Sequence, residues 1–355
     1  MMPFDFERAD QALSPSARAA RDRRAVALWL LVVCGMVWVM VALGGATRLT
    51  GSGLSIMEWA PLSGALPPVS EAEWQRLYDL YRGIPQYALM NAGFGIEGFR
   101  RIFWLEWIHR FWGRMIGLAF LLPLVVFWWR GRIPAGLKPR LVLLLLLGGA
   151  QGGVGWFMVA SGFEADRTAV SPYRLVLHLA LALLLFSLLF WTALSLLRPV
   201  RDRPAAAARV AALLHAAAGL LVLAMLAGGF VAGLHAGLDF NTFPLMAGRL
   251  VPPGYFAAGW QSLTTDIATV QFDHRLLASL GALAALAAVG LGWRRLPPGF
   301  ARTALFALGA AVLVQYGLGV STLLHAVPAG LGTLHQAVAV AVLAALLAAM
   351  HGLRR

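Results

Sequence analysis

"LEWIHRFWGR", residues 105–114, places Glu106 and His109 three positions apart at the start of an apolar run. Residues at that spacing share a helix face. A carboxylate and an imidazole would therefore project together from a segment otherwise suited to lipid. A second stretch, "VQFDHRLLAS" (270–279), repeats the His-Arg pair as His274-Arg275 but carries Gln271 where the first has Glu106. The repeated imidazole and the unrepeated charge both need a physical reason.

The surroundings of these stretches set the fold class. The chain has 355 residues, of which 60% are hydrophobic and 13% charged. Apolar runs fall at roughly 25–46, 107–129, 141–161, 174–197, 208–232, 272–293, 302–322 and 332–351. Each is about 20 residues, enough to cross a bilayer core as helix. Backbone exposed to lipid must satisfy its own hydrogen bonds, so helices are the expected element. The reading is an all-α polytopic membrane protein with eight transmembrane helices. The net charge of +13 is spread over linkers and does not form one patch, which points to membrane orientation and away from nucleic acid. "RAARDRR" (18–24), "RGRIPAGLKPR" (130–140), "RPVRDRP" (198–204), "WRRLPPGFAR" (293–302) and the terminal "RR" would be cytoplasmic. The connections 47–106, 162–173, 233–271 and 323–331 then face outward, with both termini inside. The single cysteine, Cys34, lies within the first run, which excludes an intrachain disulfide or a cysteine-based metal site. No small-residue cleavage site follows a short apolar core, so the first span is expected to stay uncleaved. Residues 70–82, "SEAEWQRLYDLYR", show the pattern of a membrane-surface helix with Trp74, Leu77, Tyr78 and Tyr81 on one side.

The chain also repeats itself. "LGGATRLTGSGLSIMEWAPLSGALPP" (43–68) corresponds to "AGGFVAGLHAGLDFNTFPLMAGRLVPP" (227–253), "EWIHRFWGRMIGL" to "QFDHRLLASLGAL", and "YRLVLHLALALLL" to "LGTLHQAVAVAVL". Gln151 and Gln315 occupy similar glycine-rich third spans. The expected organisation is a cytoplasmic segment 1–24, a first four-helix half 25–200 and a second half 207–351. Because each half has an even number of spans, a pseudo-two-fold axis along the membrane normal would relate the two bundles.

Each half keeps two histidines in matching places: His109 and His178, then His274 and His335. All lie towards the outer ends of spans that run in the same direction. Two imidazoles at one depth can approach a flat ligand from opposite sides, which is bis-histidine ligation of a haem iron in a helical bundle. Zinc fits less well, because two histidines without thiolates fall short of its usual ligand set. A proton relay accounts for single histidines but not for pairs. His215 and His351 lack mates in the repeat and read as structural. His235 and His325 face outward and suit either a haem edge or a solvated loop. Arg110 and Arg275, which follow the ligand candidates, and Arg48 are candidate propionate partners or interfacial anchors. The Glu106/Gln271 difference suggests unequal jobs, with chemistry in the first half and a permanent electron-passing haem in the second.

Together "GGATRLTGSGLSIMEWAPLSGALPP", "EWIHRFWGR", "GLDFNTFPLM", "FDHR" and "GTLHQAVA" resemble the haem A synthase family, in the type shared by alphaproteobacteria and mitochondria. The similarity runs from about residue 25 to 350. It implies oxidation of the C8 methyl group of haem O to a formyl group by successive hydroxylations, giving haem A for cytochrome c oxidase. It also implies that His109 and His178 border the substrate haem, that His274 and His335 ligate a haem b iron, and that Glu106 is the essential catalytic carboxylate. Some bacterial relatives carry an outer-loop cysteine pair, which is missing here. The setting implied is a bacterial inner membrane with the haem sites towards the periplasm. The electron donor stays open, as do contact with haem O synthase (the protohaem farnesyltransferase) and homo-oligomerisation. A dihaem cytochrome b carrying electrons from quinone would also use four histidines, with Glu106 incidental. A transporter is disfavoured by the scarcity of mid-depth polar residues and broken helices.

Overall fold

Length and apolarity select the elements. The computed structural model describes residues 14–198 and 207–354 and contains eight helices long and apolar enough to cross a membrane. These are α1 (Pro15–Leu49), α3 (Ile96–Trp129), α4 (Lys138–Ala160), α5 (Pro172–Leu197), α6 (Ala207–Gly233), α7 (Ile267–Arg295), α8 (Phe300–Leu324) and α9 (Ala329–Gly352). Among the described residues there is no β-strand, only an isolated bridge between Met246 and Arg249. The chain is all-α. Proline in the first turn of α1, α4 and α5 costs no hydrogen bond there and starts each helix. Side chains of Ser14 and Asp266 cap α1 and α7 by accepting from Ala17 N–H and Thr269 N–H. Of the expected segment 1–24, only residues from 14 onward are described, and they form the start of α1. Most of the linker 198–204 lies outside the described residues.

Two expectations change. The helix that carries the second apolar run starts at Ile96, about three turns before 107, because its first turns pack on protein. They bury Phe99, Ile102 and Phe103 against α2 (Glu71–Arg82). The apolar side of α2 is thereby turned to protein. Its Trp74, Leu77 and Tyr81 are buried in that aromatic cluster, with the Trp74 ring 4.9 Å from Phe103 and the Tyr81 ring 5.4 Å from Phe99. The apolar stripe read from the sequence is satisfied by protein.

In the first half α1 packs on α3 and α5, and α4 closes the cycle by touching both α3 and α5. The second half repeats the pattern, with α6 on α7 and α9 and α8 between them. The halves meet through α1 on α9, α5 on α6, and α5 on α9. The two bundles differ in tightness. Only 11% of the spanning window of α3 and 6% of that of α4 is buried, against 28% for α7 and for α8, so the first bundle is the more open. Tryptophan N–H groups join neighbours by donating to backbone carbonyls: Trp29 to Ala119 and Trp112 to Met36 between α1 and α3, and Trp38 to Ala337 between α1 and α9. Gln336 of α9 returns a bond to Val41 of α1 at 3.0 Å.

The contact between halves is close at Gly233, where an added Cβ would lie 2.8 Å from Pro172 Cβ and 2.9 Å from its Cα. Proline cannot turn away, so Gly233→Val is expected to force α5 and α6 apart. Trp38→Phe removes one interhelical hydrogen bond, worth about 1 kcal/mol in a membrane protein. Thermal unfolding in detergent should show the larger loss for Gly233→Val. The reverse ranking would mean that α5 and α6 do not touch there.

Candidate functional site

The site begins with four imidazoles and the helix surfaces that receive them. His109 sits on α3 and His274 on α7, and each lies against a glycine of the preceding membrane-length helix. A Cβ on Gly44 of α1 would be 3.1 Å from His109 Cε1, and one on Gly228 of α6 would be 2.9 Å from His274 Cε1. The second member of each pair repeats the arrangement. A Cβ on Gly155 of α4 would be 2.9 Å from His178 Cε1, and one on Gly319 of α8 would be 2.9 Å from His335 Cε1. Real Cβ atoms essentially never approach to 2.9 Å, so the rings of His178, His274 and His335 lie in notches that glycine provides, and the 3.1 Å approach at Gly44 is tight for His109. His109 and His178 are within electrostatic reach of each other, as are His274 and His335. The structure thus brings together each expected pair. All four side chains are half-buried.

The donor set fits a haem. Among the described residues no group of three or more His, Cys, Asp or Glu is placed to hold a metal ion alone. Two imidazoles per half match the axial ligands of an iron already bound by a macrocycle. At His274, Nδ1 lies 2.8 Å from the carbonyl oxygen of Ala224. A carbonyl only accepts, so Nδ1 carries the proton and the Nε2 lone pair is free for iron. On His109, His178 and His335 the buried Nδ1 has no partner within the protein. The amide nitrogens of Gln151 and Gln315 stand 3.4 Å and 3.5 Å from Nε2 of His178 and His335, and their buried Oε1 atoms are also unpartnered. These glutamines and the four glycines were not identified as site residues from the sequence. The signal was there in the glycine-rich third span of each half.

Glu106 is one helical turn from His109, as the spacing requires, and is only 2% exposed. Its Oε2 accepts from Ser55 N–H at 2.7 Å, Ser55 Oγ at 2.7 Å and Ile56 N–H at 3.0 Å. Its Oε1 accepts from Arg110 Nε at 3.1 Å and a terminal guanidinium nitrogen at 2.6 Å. Arg110 also donates to the carbonyls of Ile56 and Glu58. Residues 52–60 form a strap held down on α3, and near its end Trp59 stacks on Trp156 of α4 at 6.1 Å with Arg110 over the Trp156 ring. The strap is tied outward as well, because Glu58 accepts from Arg76 of α2. That guanidinium holds the Glu58 carboxyl below the usual carboxylate range. A carboxyl whose pKa is lowered on folding stabilises at neutral pH, and its contribution fades as acid protonates it.

In the second half Gln271, also 2% exposed, donates from Nε2 to the carbonyls of Ala236 and Asp239, both at 2.6 Å. Its Oε1 accepts from Arg275, which also donates to the carbonyls of Phe240 and Thr242. Both arginines proposed for propionates therefore spend donors on their straps. Arg48 reaches from α1 across to the carbonyl of Ala232 in the other half at 2.9 Å, and its buried Nε has no partner. His235 and His325 are exposed on the rim of the second half, the latter bonded to the Ser321 carbonyl. His215 and His351 lie at the opposite end, where His215 lines a pocket of about 300 Å³ with Trp191 and Arg354, and His351 packs edge-on against Trp191 and lies 3.3 Å from Ser195 Oγ.

Residues 27–347 match the family COX15-CtaA, described as cytochrome oxidase assembly protein. The chain is 57% identical to a heme A synthase of Granulibacter bethesdensis over 94% of its own length and 88% of the relative's. It is 46% identical to one of Rhodospirillum centenum, with 97% and 93% covered, and 47% identical to one of Paramagnetospirillum magneticum, with 94% of each covered. No solved structure matches the chain.

A methyl group in a notch would push an imidazole off its position. Gly228→Ala and Gly319→Ala are expected to lower the haem retained by the second half, or to shift its absorption maximum, without loss of membrane-inserted protein. Absorption spectra of purified variants check this, and unchanged spectra would mean that the notches do not set the rings.

Proposed function

The chain belongs to the haem A synthase family, and from that membership and the paired imidazoles we propose that it oxidises the C8 methyl group of haem O to a formyl group by successive hydroxylations. The family assignment makes it an enzyme of haem A biosynthesis. The finer reading assigns substrate haem to the first half, bordered by His109 and His178, and a resident haem b to the second, ligated by His274 and His335. The observation that carries it is the glycine-backed histidine pair, built twice with the same geometry.

Differences between the halves support the division of labour. A substrate must enter and leave, and the first bundle is the one whose α3 and α4 are largely open to their surroundings. A permanent cofactor is better served by a closed bundle and a fixed tautomer, and His274 has the Nδ1 bond that supplies one. Bound haem iron supplies the redox chemistry. The protein binds and orients the ring, excludes water at the strap end, and keeps apolar walls for the farnesyl tail of haem O, which comes in from the lipid. The two bundles are taken to be related by a pseudo-two-fold axis along the membrane normal, the long-loop end facing the periplasm and both termini facing the cytoplasm of a bacterial inner membrane. The matching packing cycles of the halves and the arginine-rich short linkers support that arrangement.

Purified protein supplied with haem O and a reductant, followed by haem extraction and chromatography, tests the proposal. His274→Ala and His335→Ala are expected to remove the haem b absorption. His109→Ala and His178→Ala should keep it while yielding no haem A. Two haems b and no haem A from the unaltered protein would instead identify a dihaem electron carrier.

A further inference from the structure

The strap contacts in the two halves can be compared residue by residue. The sequence match pairs Ser55 with Asp239, Ile56 with Phe240, Glu58 with Thr242 and Trp59 with Phe243. The arginine part of the clamp is the same in both. Arg110 donates to the carbonyls of Ile56 and Glu58, and Arg275 to those of Phe240 and Thr242. The other part is reversed. The first strap turns N–H and O–H donors towards α3, whereas the second turns the carbonyls of Ala236 and Asp239 towards α7. A carboxylate only accepts, and an amide NH₂ only donates. Glu106 and Gln271 therefore each match the face that their own strap presents.

We infer that Glu106 is a positioning residue that acts through the strap, with Ser55 as its second member. This rests on the proposed assignment of the reaction to the first half. Glu106 Oε2 takes three hydrogen bonds and Oε1 two, all from its own chain. A carboxylate has about four lone-pair sites, so none is left for substrate. What the carboxylate fixes is the strap, and the strap carries Trp59 onto Trp156. Trp156 is the neighbour in sequence of Gly155, the notch that holds His178. Contacts thus run from Glu106 on α3 over the mouth of the bundle to the imidazole on α5. The charge orients the far wall of the site without touching the reacting methyl group.

The test combines hydrogen exchange with turnover in the full-length, detergent-purified protein. Glu106→Gln would put an amide against two backbone N–H groups. It should raise exchange in the segment 52–60 by about tenfold or more, the loss of at least one charge-assisted bond, and lower haem A formation. Ser55→Ala, which leaves Glu106 intact, should loosen the same segment and slow haem A formation about 3- to 10-fold, and Ser55→Thr, which keeps the hydroxyl, should restore both. Gln271→Glu should loosen 236–243 and not 52–60. The inference is overturned if Glu106→Gln abolishes haem A while exchange in 52–60 is unchanged, for the carboxylate would then act on substrate directly. It is equally overturned if Ser55→Ala leaves exchange and turnover at wild-type values. If the unaltered protein makes no haem A from haem O, the proposed reaction fails, while the exchange data still decide whether Glu106 holds the strap. Should Glu106→Gln not accumulate in the membrane, the Ser55 pair decides.

Discussion

The contact on which this molecule depends is that between an imidazole ring and the bare backbone of the neighbouring helix. It occurs four times, at Gly44, Gly155, Gly228 and Gly319; a single methyl group would collide with the ring at the last three and crowd it at the first. Packing an ionisable side chain inside a membrane bundle is costly unless its orientation and partners are fixed. The glycine notch fixes the orientation by shape, and at His274 the close approach also delivers a carbonyl to Nδ1. The repeated "GG" pair has two separate uses. Its first glycine faces a histidine of its own half. Its second, Gly45 or Gly229, faces the other half, where an added Cβ would meet Gln336 or Val176. One dipeptide therefore places a ligand candidate and joins two bundles.

The joining of the halves follows from the same economy of side-chain volume. Small residues let α1 approach α9 and α5 approach α6, and in the absence of a hydrophobic drive between helices in lipid, close packing and side-chain hydrogen bonds hold them. Trp38 and Gln336 exchange bonds with backbone carbonyls across one of these contacts. Arg48 adds a crossing at the long-loop end by donating from the first half to Ala232 of the second.

The straps show how duplication preserves a scaffold while altering its chemistry. The arginine clamp and the aromatic residue beyond it are retained in kind in both halves, Trp59 resting on Trp156 and Phe243 packing against Tyr316. Only the inner face of the strap changes polarity, and with it the acid or amide beneath. A buried carboxylate is tolerable at 2% exposure because a guanidinium and three strap donors surround it. In the second half the corresponding surroundings are carbonyls, which would repel a charge of that sign.

The sequence by itself determined the spans, because an apolar run of bilayer length has no alternative but helix. The repeated order of motifs also made an expectation of two halves and four paired histidines legible, since order and spacing survive duplication. Hydropathy did not reveal that α3 extends outward to Ile96 or that α2 packs on it, because an apolar stripe looks the same whether it meets lipid or protein. The purpose of Glu106 was legible only as a question. Which way a strap turns its peptide groups is set by backbone torsions far along the chain from the helix beneath, at Ser55 and Ile56 in one half and at Ala236 and Asp239 in the other. Only the tertiary structure brings those groups within hydrogen-bond reach of α3 and α7, and that meeting decides between acid and amide.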